Sequence, residues 1–201
     1  ENELKHFQQA IDSIKKNPGK TVVQQKALSN SNLDLNGTNK YYTIDSLALA
    51  FSDTSVTIVK FAKELKGLKG VQLSFQQQLK EGTELNFTNS QPVKVLVGFF
   101  NPVRAAFTKD TVFLKAPELE TNASANDYGQ SETKIANAVI IKGLPPVNIH
   151  SYTFNAGVNT LKLSKGVALI LGFVDGNQSI PLYDAGLTES GAKKEIDWLF
   201  E

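Results

Sequence analysis

The apolar positions of this chain change period once, early. Leu4, Phe7, Ile11 and Ile14 recur at spacings of three and four, which places them on one face of a helix, with Lys15 and Lys16 near its electronegative C-terminal end. "NPG", residues 17–19, stops that pattern. Beyond it the runs become short and β-branched or aromatic, separated by turn residues at roughly ten-residue intervals. They are "YYTIDSLALAF" (41–51), "SVTIVKF" (55–61), "VQLSF" (71–75), "TELNF" (83–87) and "PVKVLVGFF" (92–100) in the first half. In the second half come "TVFLK" (111–115), "KIANAVII" (134–141), "VNIHSYTF" (147–154), "NTLKLS" (159–164), "VALILGFV" (167–174) and "SIPLY" (179–183).

About eleven candidate strands predict an all-β fold of two packed antiparallel sheets with four to six strands each. "VALILGFV" and "VKVLVGFF" are apolar on both alternating sets, the mark of strands covered on both faces. Gly98 and Gly172, inside those runs, mark a bulge or a close backbone approach. Turn chemistry at "KEGTE" (80–84), "NSQP" (89–92), "FNAG" (154–157), "SKG" (164–166) and "DGN" (175–177) reverses the chain between strands. The expected organisation is an amphipathic helix and linker over 1–20, a β-sandwich over 21–189 and a C-terminal extension over 190–201 packing on it. The tail "SGAKKEIDWLF" (190–200) fits a closing helix or a terminal strand equally well. Its Trp198, flanked by Ile196, Leu199 and Phe200, reads as a docking residue before it reads as a sugar-stacking one.

Composition narrows the function classes. The 201 residues suffice for one substantial core, and 41% hydrophobic with 20% charged residues is an ordinary globular balance. A net charge of +1 and a single arginine, Arg104, argue against nucleic acid as a partner. There is no cysteine, hence no disulfide and no thiolate chemistry. No run is long and apolar enough to predict a transmembrane segment, and the chain opens at "ENELKHFQQAIDSIKK" without a signal-type apolar stretch.

Catalytic constellations are not evident. Only His6 and His150 are available as imidazole bases, and there is no Gly-x-Ser-x-Gly elbow, His-Glu-x-x-His or glycine-rich phosphate loop. No cofactor is expected, but a structural calcium is compatible with the loops "ETNASAND" and "VDGNQS", which offer carboxylates, amides and carbonyls. Glycoside hydrolysis needs two carboxyl groups across a cleft, and no acid here sits in a recognisable motif. Whether the chain is an enzyme stays open, with the balance against it.

What remains is chemistry suited to polyols: amides and carboxylates bonding to hydroxyls, and aromatic faces covering ring C–H patches. The segment "TNASANDYGQSE" (121–132) supplies it in Asn126, Asp127, Tyr128 and Gln130, and is also readable as a solvated loop. On "VNIHSYTF", Asn148, His150 and Tyr152 share one strand face opposite Val147, Ile149 and Ser151. That face reads as solvent-exposed, or as one wall of a polar ligand site. These seven residues are the candidate ligand-binding set.

"LNFTNSQPVKVLVGFF" (85–100), followed later by "FNAGVNTLKLSKGVALILGFV" (154–174), resembles galactose-binding-domain-like β-sandwich (jelly-roll) modules of secreted Bacteroidetes polysaccharide-handling proteins. The resemblance spans roughly residues 40 to 184, on core and turn positions. It implies a jelly roll, here with a short N-terminal helix, that is exported to the periplasm or cell surface. It further implies a non-catalytic carbohydrate-binding or accessory role, with an oligo- or polysaccharide and neighbouring domains or enzymes of a glycan-degrading system as partners. In that family the binding residues lie in variable loops at one end of the sandwich, so none transfers to a numbered position here. The alternatives are a structural or protein-interaction sandwich and a small glycoside hydrolase.

Overall fold

The computed structural model describes residues 27–37, 39–101, 112–117, 132–180 and 182–187. The expected N-terminal helix and C-terminal extension lie outside the described residues. In chain order the strands are β1 (Asp34–Leu35), β2 (Lys40–Thr43), β3 (Ile58–Phe61), β4 (Lys69–Gln72), β5 (Thr83–Asn89), β6 (Val93–Phe100), β7 (Glu132–Ile141), β8 (Val147–Phe154), β9 (Gly157–Leu163), β10 (Leu169–Asp175) and β11 (Tyr183–Asp184). A short 3-10 helix (Lys63–Leu65) precedes β4, and an α-helix, α1 (Phe75–Glu81), separates β4 from β5.

The strands form a two-sheet β-sandwich, as the alternation predicts. The division is unequal: three strands in the order β1-β5-β9, and eight in the order β11-β7-β8-β6-β10-β4-β2 with β3 also paired to β7. Pairing is antiparallel except where the short β11 runs parallel to β7. The expectation of four to six strands per sheet therefore fails, for a reason visible in the burial. The larger sheet is apolar on both faces, and only one face needs the smaller sheet. Val93, Val95, Val97 and Phe99 of β6 join Leu85, Phe87 and Leu161 of the small sheet in one core. Leu96 and Phe100 point the other way, into a second core closed by Ile44, Phe51, Ile58, Leu65 and Leu68. The 44–68 stretch thus covers the face that the small sheet leaves open, as the doubly apolar pattern of the central runs requires.

Both glycines do what their strand positions imply. A Cβ on Gly98 would lie 2.7 Å from Val147 Cγ1 and 3.0 Å from Leu171 Cδ1, so β6 and its neighbours close up there. The β10 register against β6 shifts between Ile170 and Gly172. That bulge breaks the alternation, so Ile170 and Phe173 enter the inter-sheet core while Leu171 and Val174 enter the other.

Helix α1 corrects the reading of "VQLSF" as a strand through residue 75, because β4 ends at Gln72. Ser74 caps the helix, its hydroxyl accepting from the Gln77 N–H at 3.0 Å. Asp53, from a distant loop, accepts from the Phe75 and Gln76 N–H groups at 2.7 and 2.9 Å and from the Ser74 hydroxyl at 2.6 Å. Gly82 ends the helix at φ 83, and Phe75 packs edge-on to Phe51 with ring centroids 5.1 Å apart. Three other expected strands shrink: within 41–51 the ladder ends at Thr43 and only isolated bridges at Leu49 and Phe51 follow, 111–115 contributes an isolated bridge at Phe113, and 179–183 reduces to β11.

Candidate functional site

A groove forms where the chain passes from the large sheet to the small one. Leu28 is anchored in the second core, Asn30 bridges to Val174, and the Ser31 N–H donates to Phe173 O at 2.8 Å. The backbone then leaves β10 and becomes β1, with Asp34 opposite Thr88 and Leu35 opposite Phe87 of β5. This crossing leaves a cavity of about 540 Å³ bounded by residues 30–34, Tyr41 of β2, Lys69 of β4, Thr88 to Ser90 and the buried Phe173. Its volume lies within the roughly 300–1,000 Å³ typical of small-molecule sites.

The lining divides into braces and available groups. Asn30 is a brace: its Oδ1 accepts from the Lys69 N–H at 2.7 Å and its Nδ2 donates to Gly67 O at 3.1 Å. Asn89, buried, is another, with Nδ2 donating to Gln91 O and Asn155 O and Oδ1 accepting from Asn159 Nδ2. Thr88 Oγ1 accepts from Asn36 Nδ2 at 3.0 Å. By contrast Asn32, Asp34, Lys69 and Ser90 are exposed, and their side chains make no hydrogen bond or ion pair with the described residues. Tyr41 holds its ring at the rim, 44% exposed, with its hydroxyl donating to Leu33 O at 3.3 Å. Partial burial and then the Asp34 carboxylate raise the Tyr41 pKa, so the phenol stays a neutral donor. An oriented aromatic face beside unspent amide, carboxylate, hydroxyl and ammonium groups is equipped to hold a polyhydroxylated ligand.

The residues expected from sequence fall elsewhere. Asn126, Asp127, Tyr128 and Gln130 lie outside the described residues. Asn148, His150 and Tyr152 do share a strand face, but that face looks into the sandwich and not to solvent, which corrects the reading of it as exposed. Tyr152 is part of the inter-sheet core. His150 is 3% exposed and meets Phe99 edge-on at 5.0 Å, and burial pushes its pKa down to about 4. Asn148 is half-buried, and its Oδ1 accepts from the Asn137 N–H at 2.9 Å. Asn137 sits in a bulge of β7 at φ 46 and donates through Nδ2 to Asp184 Oδ1 at 2.8 Å, so the Asn148 amide serves a backbone irregularity.

Of the loops considered for calcium, 120–127 lies outside the described residues. In the other, Asp175 Oδ1 accepts from the Asn177 N–H at 2.7 Å, forming an Asx turn. Among the described residues no group of three or more His, Asp or Glu side chains is placed to hold a metal ion, and no helix is long and apolar enough to cross a membrane.

Sequence reasoning missed the groove, although its longest lining segment has a signal in "SNSNLDLNGTNKYY" (29–42), where four asparagines precede two tyrosines.

No protein-family model matches this chain, and no curated protein sequence does. Among solved structures it is similar to part of a longer chain. That structure is a GH138 enzyme targeting pectin rhamnogalacturonan II, with a TM-score of 0.75 and 34% sequence identity. The match covers 92% of this chain and 21% of that one, so the chain spans about a fifth of the enzyme's length.

Proposed function

We propose that this chain is a non-catalytic carbohydrate-binding or accessory module of an exported, glycan-handling system, acting at the periplasm or cell surface. The observation that carries this reading is the groove beside β1, where Tyr41 offers a ring face and Asn32, Asp34, Lys69 and Ser90 offer polar groups with no partner among the described residues. The similarity to a fifth of an enzyme that targets pectin supports it, because a stretch of that size corresponds to one module of a larger glycan-acting protein. Pectic polysaccharide is accordingly the ligand class to try first. The galactose-binding-like jelly-roll relationship carried by "VKVLVGFF" and "VALILGFV" belongs to the same reading.

Binding would proceed by hydrogen bonds to ring hydroxyls and by C–H contact with the Tyr41 face. Single-site affinity of that kind is modest and is raised by tethering to an enzyme or by multivalency. A hydrolytic reading needs a pair of carboxyl groups flanking the bond. Among the described residues the groove presents one, Asp34.

Affinity electrophoresis in gels cast with pectic polysaccharide tests the proposal. The protein is expected to be retarded relative to a gel without polysaccharide. Unchanged migration across pectins, galactans and arabinans would overturn it.

A further inference from the structure

The groove contains two opposite charges that do not neutralise each other. Elsewhere on the sandwich, Lys162 is paired with Glu84 at 3.1 Å and Lys94 donates to Gln178 O at 2.9 Å. Lys69 and Asp34 line one cavity, yet neither ammonium nor carboxylate has an ion-pair partner among the described residues. The root of Lys69 is nevertheless fixed. Its N–H is held by Asn30 Oδ1 at 2.7 Å, and its backbone pairs with Thr43 across the β4–β2 ladder. A positioned cation with no anion partner among the described residues, beside an acceptor suited to hydroxyls, is complementary to a ligand that carries a carboxylate and several hydroxyls on one ring.

We propose that the groove selects acidic sugars, with Lys69 engaging a uronic acid carboxylate while Asp34 and Asn32 take ring hydroxyls beside Tyr41. This rests on the reading of the chain as a glycan binder and adds the class of sugar. A neutral sugar of the same shape keeps the hydroxyl contacts and loses the charge-assisted bond. Selectivity therefore resides in the ammonium, and salt weakens it.

Isothermal titration of the intact chain with trigalacturonic acid, its fully methyl-esterified form and a neutral galactan trisaccharide, at low and high salt, provides the test. The acid is expected to bind roughly tenfold more tightly than the ester, with the advantage shrinking at high salt. In Lys69→Gln, whose backbone bonds are untouched, the acid should lose its advantage and bind no more tightly than the ester, at low and at high salt alike. Equal affinities in the wild-type chain, or a preference that survives Lys69→Gln, overturn the acidic selectivity and leave the glycan reading standing. Failure to bind any of the three overturns both.

Discussion

The centre of the large sheet and the β1–β2 edge of the sandwich use the same polar residue types for opposite ends. In the centre, Tyr152 is packed in the inter-sheet core and the Asn148 amide is spent on the bulge at Asn137. At the edge, Tyr41 is 44% exposed and the Asn32 amide makes no hydrogen bond with the described residues. A tyrosine or asparagine thus carries no functional meaning by type alone. What decides is whether the backbone around it already has a use for its polar atoms. The centre is consequently the region whose substitutions read out as stability, and the edge the region whose substitutions read out as binding.

Phe87 tests the central half of that contrast most severely. It is fully buried, with ring centroids 5.2 Å from Phe154 and 5.6 Å from Phe173, and so ties the small sheet to the large one. Phe87→Ala should cost roughly 3–5 kcal/mol, from lost burial and the cavity left behind. Urea unfolding would show a lower midpoint, and a loss below about 1 kcal/mol would mean that the small sheet is not held through this ring.

His150 sharpens the contrast through pH. Its folded pKa is depressed to about 4 by burial, against about 6.5 for an unfolded chain. Below 6.5 the unfolded state binds the proton first, so stability falls as pH drops from about 6.5 towards 4 and this contribution levels off below. The loss should be roughly 3 kcal/mol, seen as a declining urea midpoint across that window. His150→Gln should flatten that part of the profile. A profile identical in both proteins would show the imidazole to be solvated.

Much of the fold was legible because the pattern was redundant. "VKVLVGFF" and "VALILGFV" are apolar on both alternating sets, which leaves little choice but strands covered twice, and their glycines mark the close approach and the bulge. The same logic failed on β8. Asn148, His150 and Tyr152 alternate like a wet face, but an imidazole on Phe99 and a phenol among core side chains present enough apolar surface to be buried. Helix α1 was hidden because its seven residues follow a β-like "VQL" and one of its caps, Asp53, comes from a distant loop. The groove was illegible for a related reason: residues near 30, 41, 69, 89 and 173 meet only once both sheets exist.

Asp53 is the intermediate case, an exposed loop residue with a structural duty. Burial alone would raise its pKa, but hydrogen bonds from the Ser74 hydroxyl and the Gln76 and Phe75 N–H groups prevail and hold it below the usual aspartate value. Its contribution is therefore present above the unfolded pKa and is lost as pH falls through the lower folded one. Asp53→Ala should cost about 1 kcal/mol, the usual loss for a helix cap, and be visible as a small drop in Tm. Faster hydrogen exchange at the Phe75 and Gln76 amides alone would localise the effect to the helix start.

The smallest stability effect belongs to the residue expected to matter most for binding. Tyr41 is 44% exposed and lies on the edge strand β2, so Tyr41→Ala should change unfolding by no more than about 0.5 kcal/mol. If its ring supports a sugar face, the same change should weaken oligosaccharide binding roughly fivefold to tenfold, the scale of one aromatic contact. Tyr152→Ala provides the opposite arm, because removing a core ring lowers stability first and impairs binding only as folding fails. Measured together by urea unfolding and titration calorimetry, the two variants separate availability from residue type. Equal losses of stability in both would collapse the distinction between centre and edge, whereas a selective loss of affinity in Tyr41→Ala assigns the groove its ligand-facing role.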